Sequence, residues 1–538
     1  REQWNASANV QWTIIPTMKL KIEGGIDNSS ERNDRYYGLS SYYTREKANV
    51  KGHPNTDTKT AYARTFRTSN TLSYNFAKVI KDKRHKLDML IGQEYSYRKS
   101  NTETLVAEGF PKFYDMDMCL NYLGSASMIS SATNGFAESE VMLSFFGRAN
   151  YSFDNRYSLS ASLRGDGSSK FAPGNQWGVF PSVAASWTLS NESFLKRVRQ
   201  IDQIKLRYSL GTAGNNRIPA GQIRHTFSSA QDYRAYDMVN WISAKSAMPN
   251  KDLVWEKTIS HNLGLDLAFF NQRLSGTFEV YHNTSRDLLL NYPLSGVGYT
   301  TQYRNIGSVL NRGVELTLNA VLVEKKNFGL TVSGNAAFNQ NRVLDLGGID
   351  EIQTEARFLT GIGWDYLVKE GDPLGVVYGY ESDGWYTVDD FSFGLDSSSG
   401  NPKWSKLPET VDNSSLIGTH CFRPGAPKFK DQITEDTDGD GIPDSGDGKI
   451  DTKDKVALGS VMPIVTGGFN LSMQVYGFDV SAAFSFSVGN KLYNGDKLAL
   501  TQRGQKQYYR NLLAICAPGS AWTNVDWTTG QLIKDPDY

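Results

Sequence analysis

The sequence predicts an all-β protein whose strands wind into a transmembrane antiparallel β-barrel. Three observations predict it: long segments of period-two alternation, connections that switch between a few residues and several tens, and an aromatic- and glycine-rich composition of modest hydrophobicity. Hydrophobic residues make up 39% of the 538 and aromatics 12%, with 49 glycines. One lipid face, one wet face and aromatic girdles at both interfaces call for that balance. No apolar run reaches the about 20 residues of a membrane helix. A barrel needs none, because its backbone groups pair between strands and each crossing takes only about 10 residues.

The alternation is read element by element. From Leu143 to Phe153 the odd positions are Leu, Phe, Gly, Ala, Tyr and Phe. A turn at Asp154–Asn155 follows, and Tyr157, Leu159, Ala161 and Leu163 then alternate with serines and Arg164. The same hairpin pattern returns three times. Leu263–Phe269 turns through Asn271, Gln272 and Arg273 into Leu274–Val280. Val314–Leu322 turns through Glu324–Asn327 into Phe328–Phe338, and Phe469–Val475 turns through Tyr476–Phe478 into Val480–Val488. Trp4–Trp12, Met18–Ile22, Leu72–Phe76 and Leu87–Tyr97 behave alike. Fifteen or sixteen candidate strands result.

A soluble sandwich also alternates. Strands of about 9–11 residues fit a tilted membrane crossing better than the about 5–6 of soluble strands. Tight turns alternate with long connections near Lys99–Glu140, Thr212–Lys257 and Thr387–Ser460. Short turns at one end and long loops at the other mark an outer-membrane barrel, with the long loops outside the cell.

Lys+Arg and Asp+Glu balance at 57 each, so no nucleic-acid partner is expected. Cys119, Cys421 and Cys516 are odd in number and far apart, which fits isolated thiols rather than a disulfide or zinc framework. The six histidines show no ligand spacing, and His261 and His282 fall on strand faces. No HExxH, GxSxG, Walker or Rossmann pattern occurs, and no enzyme is expected. Residue 1 opens directly into strand-like sequence and the chain ends at Tyr538 without a terminal aromatic strand. A piece of a longer barrel protein is the expectation.

One segment carries definite chemistry, DTDGDGIPDSGDGKIDTKD from Asp436. Asp436, Asp438, Asp440, Asp444 and Asp447 occupy positions 1, 3, 5, 9 and 12 of a twelve-residue calcium loop. Gly441 sits at the sharp turn, and Ile442 would offer its backbone carbonyl. Alternate carboxylates wrap a hard cation that takes six to eight oxygens. A second, partial register places Asp447, Asp451 and Asp454 at positions 5, 9 and 12, with Pro443 and Ser445 at positions 1 and 3. The plain alternative is a solvated acidic loop. Bound Ca²⁺ would stiffen a connection spanning about residues 424–460.

Four stretches resemble the SusC/RagA family of TonB-dependent outer-membrane transporters of Bacteroidota. They are LRGDGSSKFAPGNQWGVFPSVAASWTLSNESFL from Leu163, IKLRYSLGTAGNNRI from Ile204, the run from Pro249 through RNIGSVLNRGVELTL, and PGAPKFKD from Pro424 with the acidic loop and the strands to Asn494. The residues make sense unaided. Asp166–Ser169 is turn chemistry, and Trp177 and Trp187 would place an aromatic near each interface.

The resemblance implies a barrel of about 22 strands around a plug. It implies import of an oligosaccharide or peptide, energy from a TonB complex, and a SusD-like surface lipoprotein as lid. Such transporter–lid pairs often dimerise. The family's plug, TonB box and N-terminal extension are not seen in this chain, and residues 1–538 read as a portion of the barrel. A passive porin and a soluble calcium-stabilised carbohydrate-binding β-protein are the competing readings. Aromatics such as Trp241, Trp385 and Tyr386 could stack on sugar rings, although loop packing is the commoner role for each.

Overall fold

The computed structural model describes residues 1–46, 52–136, 138–225, 227–235, 238–243, 247–294, 298–354, 365–395, 402–419, 421–437, 443–501 and 513–516. Two compact units divide the chain: Arg1–Gln340 with Gly467–Phe486, and Asn341–Thr466 with Ser487–Tyr538.

Among the described residues, fifteen strands join one sheet. In chain order they are β1 (Glu2–Ile15), β2 (Met18–Tyr37), β3 (Asn55–Asn75), β4 (His85–Glu108), β5 (Met128–Phe136), β6 (Glu140–Phe153), β7 (Tyr157–Ser168), β8 (Trp177–Thr188) and β9 (Ile201–Asn215). Then come β10 (Glu256–Phe269), β11 (Leu274–Arg286), β12 (Ser308–Lys325), β13 (Phe328–Asp345), β14 (Val465–Val475) and β15 (Phe478–Val488). Sequence neighbours pair throughout, save that β4 serves two partners. His85–Arg98 pairs with β6, and Asn101–Glu108 pairs with β5. That corrects one expectation. The stretch Lys99–Glu140 is not a plain connection, because it carries the upper half of β4 and all of β5.

Tight turns close one end of the sheet. Asp154 and Asn155 hold φ of 52° and 54°, and Tyr476 and Gly477 hold 47° and 89°. Two consecutive left-handed residues match the twist of the flanking strands.

Register fixes the two faces. Trp12, Leu20, Leu72, Ile91, Gly147, Leu163 and Pro181 stand opposite one another across seven strands. This face is apolar yet open, with Val10 67% and Trp12 61% exposed. Water would not tolerate so large an apolar surface, whereas lipid does. Trp177 and Trp187 stand on it at opposite ends of β8.

The other face is polar, and its bulky side chains lie over glycines. A Cβ at Gly92 would meet the Phe146 ring at 2.4 Å, and one at Gly178 would meet Phe180 at 2.4 Å. Towards the end with the long connections, Phe180 joins Phe171, Ile218, Leu253 and Trp255 in a buried cluster. The Trp255 indole donates to the Gln176 carbonyl at 2.8 Å.

The second unit holds an antiparallel sheet of Glu351–Thr354, Tyr366–Lys369, Val376–Tyr380 and Lys455–Ser460. Its core packs Tyr386, Phe391 and Ala426 against Trp404, Ile417 and Phe422. Cys119, in the first unit, is buried in a small cluster with Phe110, and its thiol is pushed up to about 11 by burial and by Asp115.

Candidate functional site

The polar face of the first unit carries arginines bridged between carboxylates. Gly92, Phe146, Arg164 and Phe180 form one cross-strand row, and Glu94, Ser144, Asp166 and Gly178 the next. Arg164 is therefore two residues from Asp166 on the same face and one row from Glu94. Its Nε donates to Asp166 at 2.8 Å and its Nη2 to Glu94 at 2.7 Å. The guanidinium also covers the Phe146 ring at 5.3 Å. A second bridge uses Arg207, whose Nε donates to both oxygens of Asp266 and whose Nη2 donates to Glu279. Asn262 donates to the other Glu279 oxygen at 3.1 Å. Nearer β1, Arg67 pairs with the single carboxylate of Asp27.

A cavity of 580 Å³ on this face is lined by Ser7, Glu23, Asp27, Arg67, Glu94 and Arg164, and the Arg207 bridge lies outside it. Fixed donors and acceptors of both signs suit a hydrogen-bonding cargo without a strong net charge. Two larger hollows, of 650 and 710 Å³, are both lined by Ile91, Gly147 and Leu163. They sit largely on the apolar face, where lipid rather than a ligand is the natural contact.

The second unit contains the acidic segment. Of the calcium ligands predicted from sequence, Asp438, Asp440 and Ile442 lie outside the described residues. Asp444 is engaged within the loop, accepting from the Thr437 N–H at 3.1 Å and from its hydroxyl at 2.8 and 2.7 Å. That network holds its carboxyl below the usual range. Asp447 accepts from the Lys449 N–H at 2.9 Å. Asp436 stands just before the undescribed stretch. Among the described residues no three or more His, Cys, Asp or Glu are gathered closely enough to hold a metal ion.

Sequence reasoning missed Asp431. A bridge between Glu435 and Ser445 pinches the intervening segment into a loop, which brings Asp431 beside Gly446–Gly448. Its Oδ2 accepts from the Gly448 N–H at 2.8 Å, and its Oδ1 is buried without a hydrogen-bond partner. A Cβ at Gly446 would stand 2.4 Å from that carboxylate. Burial, then Asp454 and Asp447, raise the Asp431 carboxyl above its ordinary value. Asp454 is 2% exposed and accepts from Gln432 N–H at 2.9 Å and Asp451 N–H at 2.7 Å. The pinch thus brings beside Gly448 a carboxylate that neither sequence register contains.

The aromatics divide. Tyr386 is 0% exposed, and its hydroxyl donates to the Val411 carbonyl at 2.6 Å. Burial and then Asp390 raise its pKa. It is a core residue and not a stacking platform, the commoner of the two roles weighed from the sequence. Trp385 is 62% exposed, while the side chain of Trp241 is outside what the structure describes.

Residues 1–413 match the family model "TonB dependent receptor-like, beta-barrel". TonB-dependent receptor P39 of Formosa agariphila is 28% identical over 91% of this chain and 46% of its own length. TonB-dependent receptor SusC of Bacteroides thetaiotaomicron is 30% identical over 66% of this chain and 32% of its own. The chain therefore spans less than half the length of these curated relatives. A solved structure of the RagAB peptide transporter superposes with a TM-score of 0.71 at 23% identity, covering 94% of this chain and 49% of that one, which shows a shared fold.

Proposed function

The chain belongs to the TonB-dependent receptor β-barrel family of the bacterial outer membrane, and we propose that it forms part of the wall of a SusC-type importer of oligosaccharides or peptides. The observation that carries the reading is the polar face: arginine–carboxylate bridges on β2–β4 and β7 line a polar cavity, and a further bridge on β9–β11 extends the same face. Such a wall can exchange hydrogen bonds with a bulky polar cargo as it passes. Work is supplied by a TonB complex acting on a plug, and a SusD-like surface lipoprotein closes over the long loops. Pairs of transporter and lid assemble further as dimers.

In this reading the acidic segment binds Ca²⁺ and stiffens a surface loop. One ion takes the first register, Asp436, Asp438, Asp440, Ile442, Asp444 and Asp447. The alternative register of Asp451 and Asp454 would need these carboxylates to close on the ion, because the described carboxylates are not gathered round one point, and the buried free oxygen of Asp431 supports a cation nearby.

Growth of the native host on defined oligosaccharides and peptides tests the reading. Deletion of the full gene and deletion of TonB should abolish use of the same substrate. Use that survives loss of TonB would indicate a passive porin instead.

A further inference from the structure

On the apolar face of β10–β12 the side chains change character near the end with the long connections. From the tight turn at Phe269–Leu274 the outward rows read Leu267 and Gly276, Leu265 and Phe278, then Leu263 and Val280. The next row is His261, His282 and Arg312, and two rows further Lys257 stands opposite Arg286. Five groups that are, or can become, cations thus follow one another on three adjacent strands, on the face that elsewhere meets lipid. His282, Arg312, Lys257 and Arg286 are exposed.

Their height matches the outer headgroups. His282 is eight residues and Arg286 twelve residues from Leu274 along β11. At about 3.4 Å per residue and a tilt of about 40°, these rise roughly 21 and 31 Å from the turn. The apolar band is about 25 Å tall, so the cluster spans its outer edge. Strand β8, on the far side of β9, instead carries Val179 and Trp177 towards that end.

No described residue neutralises the group. Among the described residues no carboxylate lies within ion-pair range of Lys257, Arg286 or Arg312. Glu256 is turned to the other face, where Asn215 and the Leu289 N–H donate to it. Arg312 Nε donates to Gln340 at 2.8 Å, which orients the guanidinium without neutralising it. Tyr208 hydroxyl and His261 Nδ1 lie 2.9 Å apart, and the His261 and His282 rings stand edge to face at 6.3 Å. Like charges directly across a strand pair repel, so Lys257 and Arg286 favour an anion between them.

We propose that Lys257, Arg286, Arg312 and the His261–His282 pair bind the phosphate of a glycolipid in the outer leaflet, whose acyl chains lie along Leu263, Val280 and Phe278. Arginine forks match phosphate oxygens, the lysine adds a point charge, and the apolar rows below accept the chains. The proposal rests on the outer-membrane placement alone and not on the cargo.

The test uses the full-length protein in detergent and native mass spectrometry with phosphorylated lipid A as probe. The K257Q/R286Q/R312Q variant should bind at least about tenfold more weakly. K257R/R286K/R312K should retain binding, and K325Q/K326Q in the opposite turn should match the wild type. Dephosphorylated lipid A should bind the wild type as weakly as phosphorylated lipid binds the triple glutamine variant. A heat-modifiable gel shift reports that each variant is folded. Equal binding by the folded triple variant, equal binding of dephosphorylated lipid, or full displacement by equimolar inorganic phosphate would overturn the proposal.

Discussion

Gly264 lies directly across β9–β10 from Arg207, and a Cβ there would stand 2.7 Å from the guanidinium carbon. The missing side chain is what lets Arg207 lie flat over the strand and reach Asp266 and Glu279 together. Gly264→Leu should therefore dislodge the arginine from both carboxylates and cost about 1–3 kcal/mol from overpacking. Thermal unfolding of the purified protein in detergent measures the cost. Arg207→Met should also weaken cargo uptake, whereas Arg273→Met, in the tight turn, should not.

Gly214 and Phe180 make the same kind of pair beside the buried Phe171–Trp255 cluster. Gly214→Val should lower the unfolding temperature, and Phe180→Ala should lower it further, by about 3–5 kcal/mol of lost packing. Near-ultraviolet circular dichroism should report the altered Trp255 environment in both variants.

Glu192 sets a pH limit on the tight-turn end. Its carboxylate accepts from the Tyr157 hydroxyl at 2.7 Å, the Trp187 indole at 3.0 Å and Arg156 at 2.9 Å, which hold it below the ordinary value. A depressed folded value means the stabilisation is complete above the unfolded value of about 4.3. It is lost as pH falls through the folded value. Unfolding temperatures followed from about pH 7 down to about pH 3 should fall at the acid end, and Glu192→Gln should be less stable at neutral pH with a flatter acid limb.

The carboxyl of Asp431 carries the opposite sign. Raised above its unfolded value, it disfavours the folded loop at neutral pH, and that cost lessens on acidification. Ca²⁺ should relieve it without acid. Calorimetric titration of the full-length protein should show Ca²⁺ binding that Asp431→Asn and Asp454→Asn each weaken on the order of tenfold or more, while Asp82→Asn in a tight turn leaves it unchanged. Asp82 itself is lowered to about 2 by hydrogen bonds from Arg84.

The strand faces are legible because burial by lipid acts on every second residue, so hairpins such as Leu263–Val280 and Val314–Phe338 announce themselves, and Leu263 stands opposite Val280 on one face. Where that selection stops, so did legibility. Lys99–Glu108 carries polar residues on both faces, Asn101 and Glu103 on one and Thr102 and Thr104 on the other, and reads as a connection although it continues β4. The burial of Tyr386 depends on Phe391 and Phe422, which only the folded unit brings together. Asp431 was hidden because fourteen residues separate it from Ser445, and a single bridged pair closes that gap. The bridges of Arg164 and Arg207 were invisible for a related reason: a partner such as Glu94 is near only through register.

The most direct measurement is purification of the full-length protein from native outer membranes under mild detergent, with the co-purifying proteins identified by mass. Recovery in the outer-membrane fraction with one surface lipoprotein in stoichiometric amount is the predicted result. Recovery from that fraction without any lipoprotein would contradict the lidded importer, and recovery only from a soluble fraction would contradict the membrane barrel itself.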